Sequence, residues 1–78
     1  MKTYEEIVQI FSTNLKDLMI DRGLSPYDLS KKIDISFKSI YRYVNGEGLP
    51  TGYSLYLLTN YFDCSMDDLF REGYDHEH

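Results

Sequence analysis

The chain is predicted to fold as an all-α domain of five helices, and three observations lead there. Apolar residues recur at three- and four-residue steps, the helical period. Ser25, Ser36, Thr51 and Ser65 stand at the starts of such segments, and Gly23 and Gly46 at the ends, residue types that cap helices. No strand-like alternation of useful length, internal repeat or low-complexity tract interrupts the pattern.

The first helix is expected from Thr3 to about Arg22, with Val8, Phe11, Leu15, Leu18 and Met19 on one face. Ile7, Ile10 and Ile20 lie partly off that face. They either widen the core stripe or offer a second surface to a partner chain. Gly23 stops the helix. Ser25 caps the second, with Pro26 at the first helical position, where a missing N–H is harmless. Leu29 and Ile33 should face inward. A three-residue joint, Asp34-Ile35-Ser36, leads to the third helix, capped by Ser36 and closed by Asn45-Gly46. Its inward residues should be Ile40 and Val44, with Phe37 or Tyr43 beside them. Leu49 precedes Pro50 and is biased away from helix. Thr51 or Gly52 starts the fourth helix, whose buried edge should be Leu55, Leu58, Thr59 and Phe62. Ser65-Met66-Asp67-Asp68 reads as a capping box opening a short fifth helix that ends near Gly73. Residues 1–72 thus form one domain and 73–78 a frayed tail.

With 78 residues the chain holds a single domain. The hydrophobic fraction of 42% is enough for a packed core and argues against disorder. One cysteine, Cys64, permits no internal disulfide and fits a reducing, cytoplasmic setting. No signal peptide or membrane-spanning run is present in the sequence.

The net charge of −5 is unevenly distributed. Residues 25–46 carry Lys31, Lys32, Lys38 and Arg42 against Asp28 and Asp34, a local +2. Residues 47–78 carry Arg71 against seven carboxylates, a local −6. A locally basic face can meet phosphates on an acidic protein, with weak long-range attraction.

Two short helices joined by so little chain form a helix-turn-helix unit, whose second helix enters the DNA major groove. Around that unit the sequence resembles the lambda-repressor-like (Cro-like, xenobiotic-response-element type) family from about Leu15 to Phe70. The resemblance is carried by Leu15-Lys16-Asp17-Leu18, Gly23-Leu24-Ser25, Leu29-Ser30-Lys31-Lys32-Ile33, Ile35-Ser36, Ser39-Ile40, Asn45-Gly46 and Leu49-Pro50. Leu55, Leu58, Phe62, Ser65, Asp68 and Leu69 complete it. No single element is specific; their order without an insertion is. The resemblance implies a five-helix bundle with helices 2 and 3 as the DNA-reading unit. It assigns base reading to Phe37, Lys38 and Arg42, with Tyr41 nearby. Lys38 and Arg42 can donate to guanine O6 and N7; Phe37, lacking a donor, suits a thymine methyl. Ser36, Ser39 and Asn45 suit phosphates, as do the backbone amides near Ser25 and Pro26.

Four departures from the family pattern matter. Pro26 stands where a phosphate-holding glutamine is common. Asp34 replaces the turn glycine and is expected to tolerate a left-handed turn. Glu47 stands where a basic residue is frequent. Met19 and Val44 together replace a buried arginine–glutamate pair, a change that is neutral or favourable when both partners go.

Several features have plain explanations. Tyr41, Tyr43, Tyr53 and Tyr56 are expected to pack at the core edge with hydroxyls in water; the functional alternative is a phosphate contact by Tyr41 and a dimer contact by Tyr53 and Tyr56. Lys31 and Lys32 read as solvated helix charges, and Cys64 as a small buried hydrophobe. Glu5-Glu6 and Asp67-Asp68 sit near helix starts, where acids complement the dipole. His76 and His78 are too few, and too near the terminus, for a structural metal site. No nucleophile–base pair, phosphate loop or metal cluster suggests an enzyme, and no cofactor or small-molecule substrate is implied. The sequence therefore predicts a cytoplasmic DNA-binding regulator, a repressor, of bacterial or phage origin, acting on double-stranded DNA as a homodimer, away from membranes. The alternative is a protein-interaction module on the same fold, antitoxin-like or anti-repressor.

Overall fold

Each helix begins where a hydroxyl can cap it. In the structure, a computed structural model that describes residues 1–73, the helices are α1 (Tyr4–Asp21), α2 (Pro26–Ser30), α3 (Phe37–Val44), α4 (Gly52–Phe62) and α5 (Met66–Phe70), with no strand among the described residues. Thr3, Ser25, Ser36, Thr51 and Ser65 each accept a backbone N–H three residues on. Glu6, Asp28 and Asp68 close reciprocal capping boxes at α1, α2 and α5. The expected tail falls, from residue 74 onward, outside the described residues.

Two boundaries differ from the sequence expectation. Helix α2 ends at Ser30, so residues 31–36, rather than three residues, connect it to α3. The Lys31 amide donates to Asp28 O, and both the Lys32 and Ile33 amides converge on Leu29 O. That tightened turn lets Ile35 bend inward to 6% exposure in the core cluster that also holds the fully buried Leu29, while Ile33 lies half-buried at the core margin. Asp34 does not need the left-handed region; among described non-glycine residues only Asp63 has positive φ, at 52°. Helix α5 closes at Phe70, three residues before Gly73.

The core gathers Phe11, Leu15 and Met19 of α1, Leu29 of α2, Ile40 and Tyr43 of α3, Leu58 and Phe62 of α4, and Leu69 of α5. Helix α1 packs on α3 and α5, α2 on α3, and α4 on α5. Phe11 joins the layers, edge-on to Tyr43 at 5.7 Å and stacked on Phe70 at 5.5 Å. In α3 it is Tyr43 rather than Phe37 that flanks Ile40; Val44 is half-buried and Phe37 is exposed. Leu18, Ile7 and Ile10 are half-buried, whereas Ile20 is 71% exposed and does not widen the core stripe. Met19 and Val44 line one largely apolar hollow with Lys16, Ile20, Leu24 and Pro26.

Helix α1, with its C-cap residue Arg22, also satisfies the open ends of three other helices. The last carbonyls of a helix have no partner within it. Ser12 Oγ donates to Val44 O of α3 at 2.8 Å. Buried Asn14 donates through Nδ2 to Leu69 O of α5 at 2.8 Å and to Arg71 O at 3.0 Å. Arg22 donates to Tyr61 O and Phe62 O of α4, its guanidinium lying 5.1 Å from the Phe62 ring centroid.

Candidate functional site

Burial of Ile40 and Tyr43 decides what α3 displays. Residues four apart share a helix face. With 40 and 43 inward, Lys38 and Arg42 form one exposed column and Phe37 and Tyr41 a second beside it. The four side chains project from the same outer surface of α3. Neither Lys38 nor Arg42 has an ion-pair partner among the described residues. Arg42 is held close to the chain that follows α3. Its carbonyl accepts the Glu47 amide at 2.9 Å, and an added Cβ on buried Gly48 would stand 3.2 Å from Arg42 Nη2. Glycine there leaves room for the guanidinium to cross the loop.

The aromatic column does not stop at α3. Tyr27 of α2 lies edge-on to Phe37 at 6.4 Å, and Phe37 contacts Tyr41 at 5.7 Å. Lys31 Nζ sits 5.0 Å from the Tyr27 ring centroid. Tyr27, Phe37 and Tyr41 are each about half exposed, at 55%, 47% and 51%. Sequence reasoning did not include Tyr27 in the site, and it read Lys31 as a solvated charge. The signal present was their i, i+4 spacing. It became meaningful only when α2 was laid against α3.

The polar positions are differently placed. Ser36 Oγ caps the Ser39 amide and pairs with Ser39 Oγ at 3.1 Å, which leaves one hydroxyl proton for an outside acceptor. Asn45 is exposed at the C-cap, with its side chain toward solvent. At the start of α2 the expected anion site is narrowed. The Asp28 carboxylate already accepts the Ser25 amide at 3.0 Å, and Pro26 has no N–H. The hydrogen bond from Ser25 holds the Asp28 carboxyl below its ordinary pKa, so this helix start carries its own negative charge. Ser25 keeps only its hydroxyl proton for an outside acceptor.

Around the site, Glu47 shares a hollow with Tyr4, Glu5, Val8 and Gln9 of α1. Tyr53 donates its hydroxyl to Asp34 Oδ2 at 3.2 Å, tying α4 to the α2–α3 connection and raising its own pKa. Tyr53 and Tyr56 are otherwise exposed, at 58% and 62%, so they do not pack into the core edge as Tyr43 does. Cys64 is half-buried against the core, and burial pushes its thiol pKa up, away from reactive thiolate. No group of three or more His, Cys, Asp or Glu side chains that would hold a metal occurs among the described residues. No helix there is long and apolar enough to cross a membrane.

The arrangement is an exposed surface with two cations, three neighbouring rings and a hydroxyl pair, built mostly on a helix, α3, whose opposite face is locked in the core. It can donate hydrogen bonds and make apolar contact. In comparisons with known proteins, the helix-turn-helix family pattern matches residues 15–69. No curated protein and no solved structure matches the chain.

Proposed function

The chain belongs to the lambda-repressor/Cro-like helix-turn-helix family of DNA-binding regulators, and on that premise we propose that it is a repressor reading the major groove of double-stranded DNA as a homodimer. The domain is residues 1–72, and it works in the cytoplasm of a bacterium or in a phage-infected cell. Lys38 and Arg42 donate to guanine O6 and N7, Arg42 in bidentate fashion. Ser36, Ser39 and Asn45, with the Ser25 hydroxyl, hold phosphates and set the register. Tyr53 and Tyr56 contribute to the dimer contact. Two symmetric α3 helices roughly 34 Å apart meet successive major grooves of a palindromic site. The observation that carries this reading is the outward column of Lys38 and Arg42, without ion-pair partners among the described residues, on the helix face opposite Ile40 and Tyr43.

The test is selection of duplexes from a random pool, followed by a salt titration of the best binder. The expected result is a palindromic consensus containing guanine and a steep fall of affinity with salt. One observation favours a second reading, a protein-interaction module on the same fold. The Asp28 carboxylate occupies the Ser25 amide at the start of α2, where a phosphate contact was expected. That reading requires that no duplex be enriched.

A further inference from the structure

The ring contacts across α2 and α3 have no role in the core. Phe37 lies outside the buried cluster, yet it is flanked by Tyr27 at 6.4 Å and Tyr41 at 5.7 Å. Three half-exposed rings in contact are an apolar patch that water disfavours. This patch runs directly beside the Lys38–Arg42 column, because positions 37 and 41 are each one residue, about 100° of helix rotation, from 38 and 42. When that cationic column faces the guanine edges, the rings face the neighbouring base pair in the same groove. The apolar feature a major groove offers is the C5-methyl of a pyrimidine.

Resting on the DNA-binding reading above, we propose that Phe37, buttressed by Tyr27 and Tyr41, recognises a pyrimidine C5-methyl group next to the guanine met by Lys38 or Arg42. The methyl belongs to thymine or to 5-methylcytosine; the chemistry of contact is the same. Tyr27 and Tyr41 act as positioning residues, limiting the rotamers of an otherwise exposed Phe37. Lys31, over the Tyr27 ring, fixes the outer end of the ridge. The rings engage one another and Lys31 instead of standing apart to receive successive unpaired bases, which sets this ridge apart from a single-strand stacking platform.

The test uses the full chain and the duplex best enriched from a random pool. Each thymine of that duplex is replaced in turn by deoxyuridine, which removes only the methyl. Each cytosine is replaced in a second series by 5-methylcytosine. Burial of one methyl corresponds to about a fourfold change in affinity. If thymine is the source, one deoxyuridine position per half-site weakens wild-type binding about fourfold and does not affect Phe37→Ala. If 5-methylcytosine is the source, methylation at one cytosine strengthens wild-type binding about fourfold, again without effect on Phe37→Ala. Phe37→Leu keeps an apolar side chain and retains the sensitivity in either case. Circular dichroism verifies that the variants fold, as expected for a residue 47% exposed. Equal sensitivity in wild type and Phe37→Ala, or none in either series, overturns the methyl reading while leaving DNA binding in place. Tighter binding of single strands than of any duplex overturns it as well. Failure to enrich any duplex removes the DNA-binding reading itself, and the methyl contact with it.

Discussion

At the scale of single residues, two glycines and one arginine shape the outer surface of α3. Gly46 has φ +69°, and a Cβ there would collide with Gln9 Nε2. Gln9 is flexible and can move, so the backbone conformation is the lasting cost. Gly46→Ala is expected to destabilise by about 1–2 kcal/mol, the usual penalty for a left-handed non-glycine residue. Adding Gln9→Ala should restore little of it, which urea denaturation of the single and double variants measures. Gly48 matters through its neighbour, since Arg42 Nη2 lies close to it. Arg42→Ala is expected to cost about 1–3 kcal/mol and to relax preference at one base pair. Binding to duplexes mutated position by position would count against base reading if the loss were spread evenly over all of them.

At the scale of elements, hydrogen bonds at helix ends do much of the organising. Asn14 is buried and serves two carbonyls at the end of α5, which is only 5 residues long. A helix so short has little stability of its own. Asn14→Ala withdraws both donors and is expected to cost about 1–3 kcal/mol. Exchange of amides in α5 should accelerate more than exchange in α3. The capping boxes make a separate prediction about acid. Glu6 and Asp28 have lowered pKa values because they accept hydrogen bonds from Thr3 and Ser25. For a carboxylate depressed on folding, the stabilisation is complete above its unfolded pKa, about 4. It is lost as pH falls through the lower folded value. Near neutrality the boxes should therefore contribute fully and add no pH dependence, and stability should decline below about pH 4. Glu6→Gln and Asp28→Asn should flatten that decline in thermal melts.

At the scale of the whole molecule, a small core and a divided charge set the limits. A domain of this size has roughly 3–5 kcal/mol from its core. Met19, at 3% exposure, faces the same hollow as Val44. Met19→Arg introduces a buried cation without a carboxylate and is expected to cost about 3–5 kcal/mol, enough to unfold the protein. Pairing it with Val44→Glu should recover much of the loss. Independent melting of the two substitutions would mean that the positions do not interact. The net charge of −5 makes non-specific attraction to DNA weak, so on the proposed reading affinity comes from local contacts near α3. Lys31→Gln should lower the salt slope of binding by about 1 if Lys31 meets a phosphate, and leave it unchanged if Lys31 serves only Tyr27.

The helices, their caps and their inward stripes were legible in the sequence because each depends on residues within one or two turns. Ser25 before Pro26, Ser36 before Phe37, and Leu58 with Phe62 announce themselves by spacing alone. The stretch 31–36 departs from the local pattern because Ile35 turns inward to join the core cluster that also holds Leu29, a placement that local pattern does not encode. For the same reason Tyr43, not Phe37, was the ring taken into the core: Phe11 of α1 was its partner. Only tertiary structure brought Tyr27 to Phe37 and matched Ser12, Asn14 and Arg22 with the ends of α3, α5 and α4. Local propensity acts through neighbours in sequence, whereas an unpaired carbonyl or an exposed ring is completed by whatever the packed chain brings within reach.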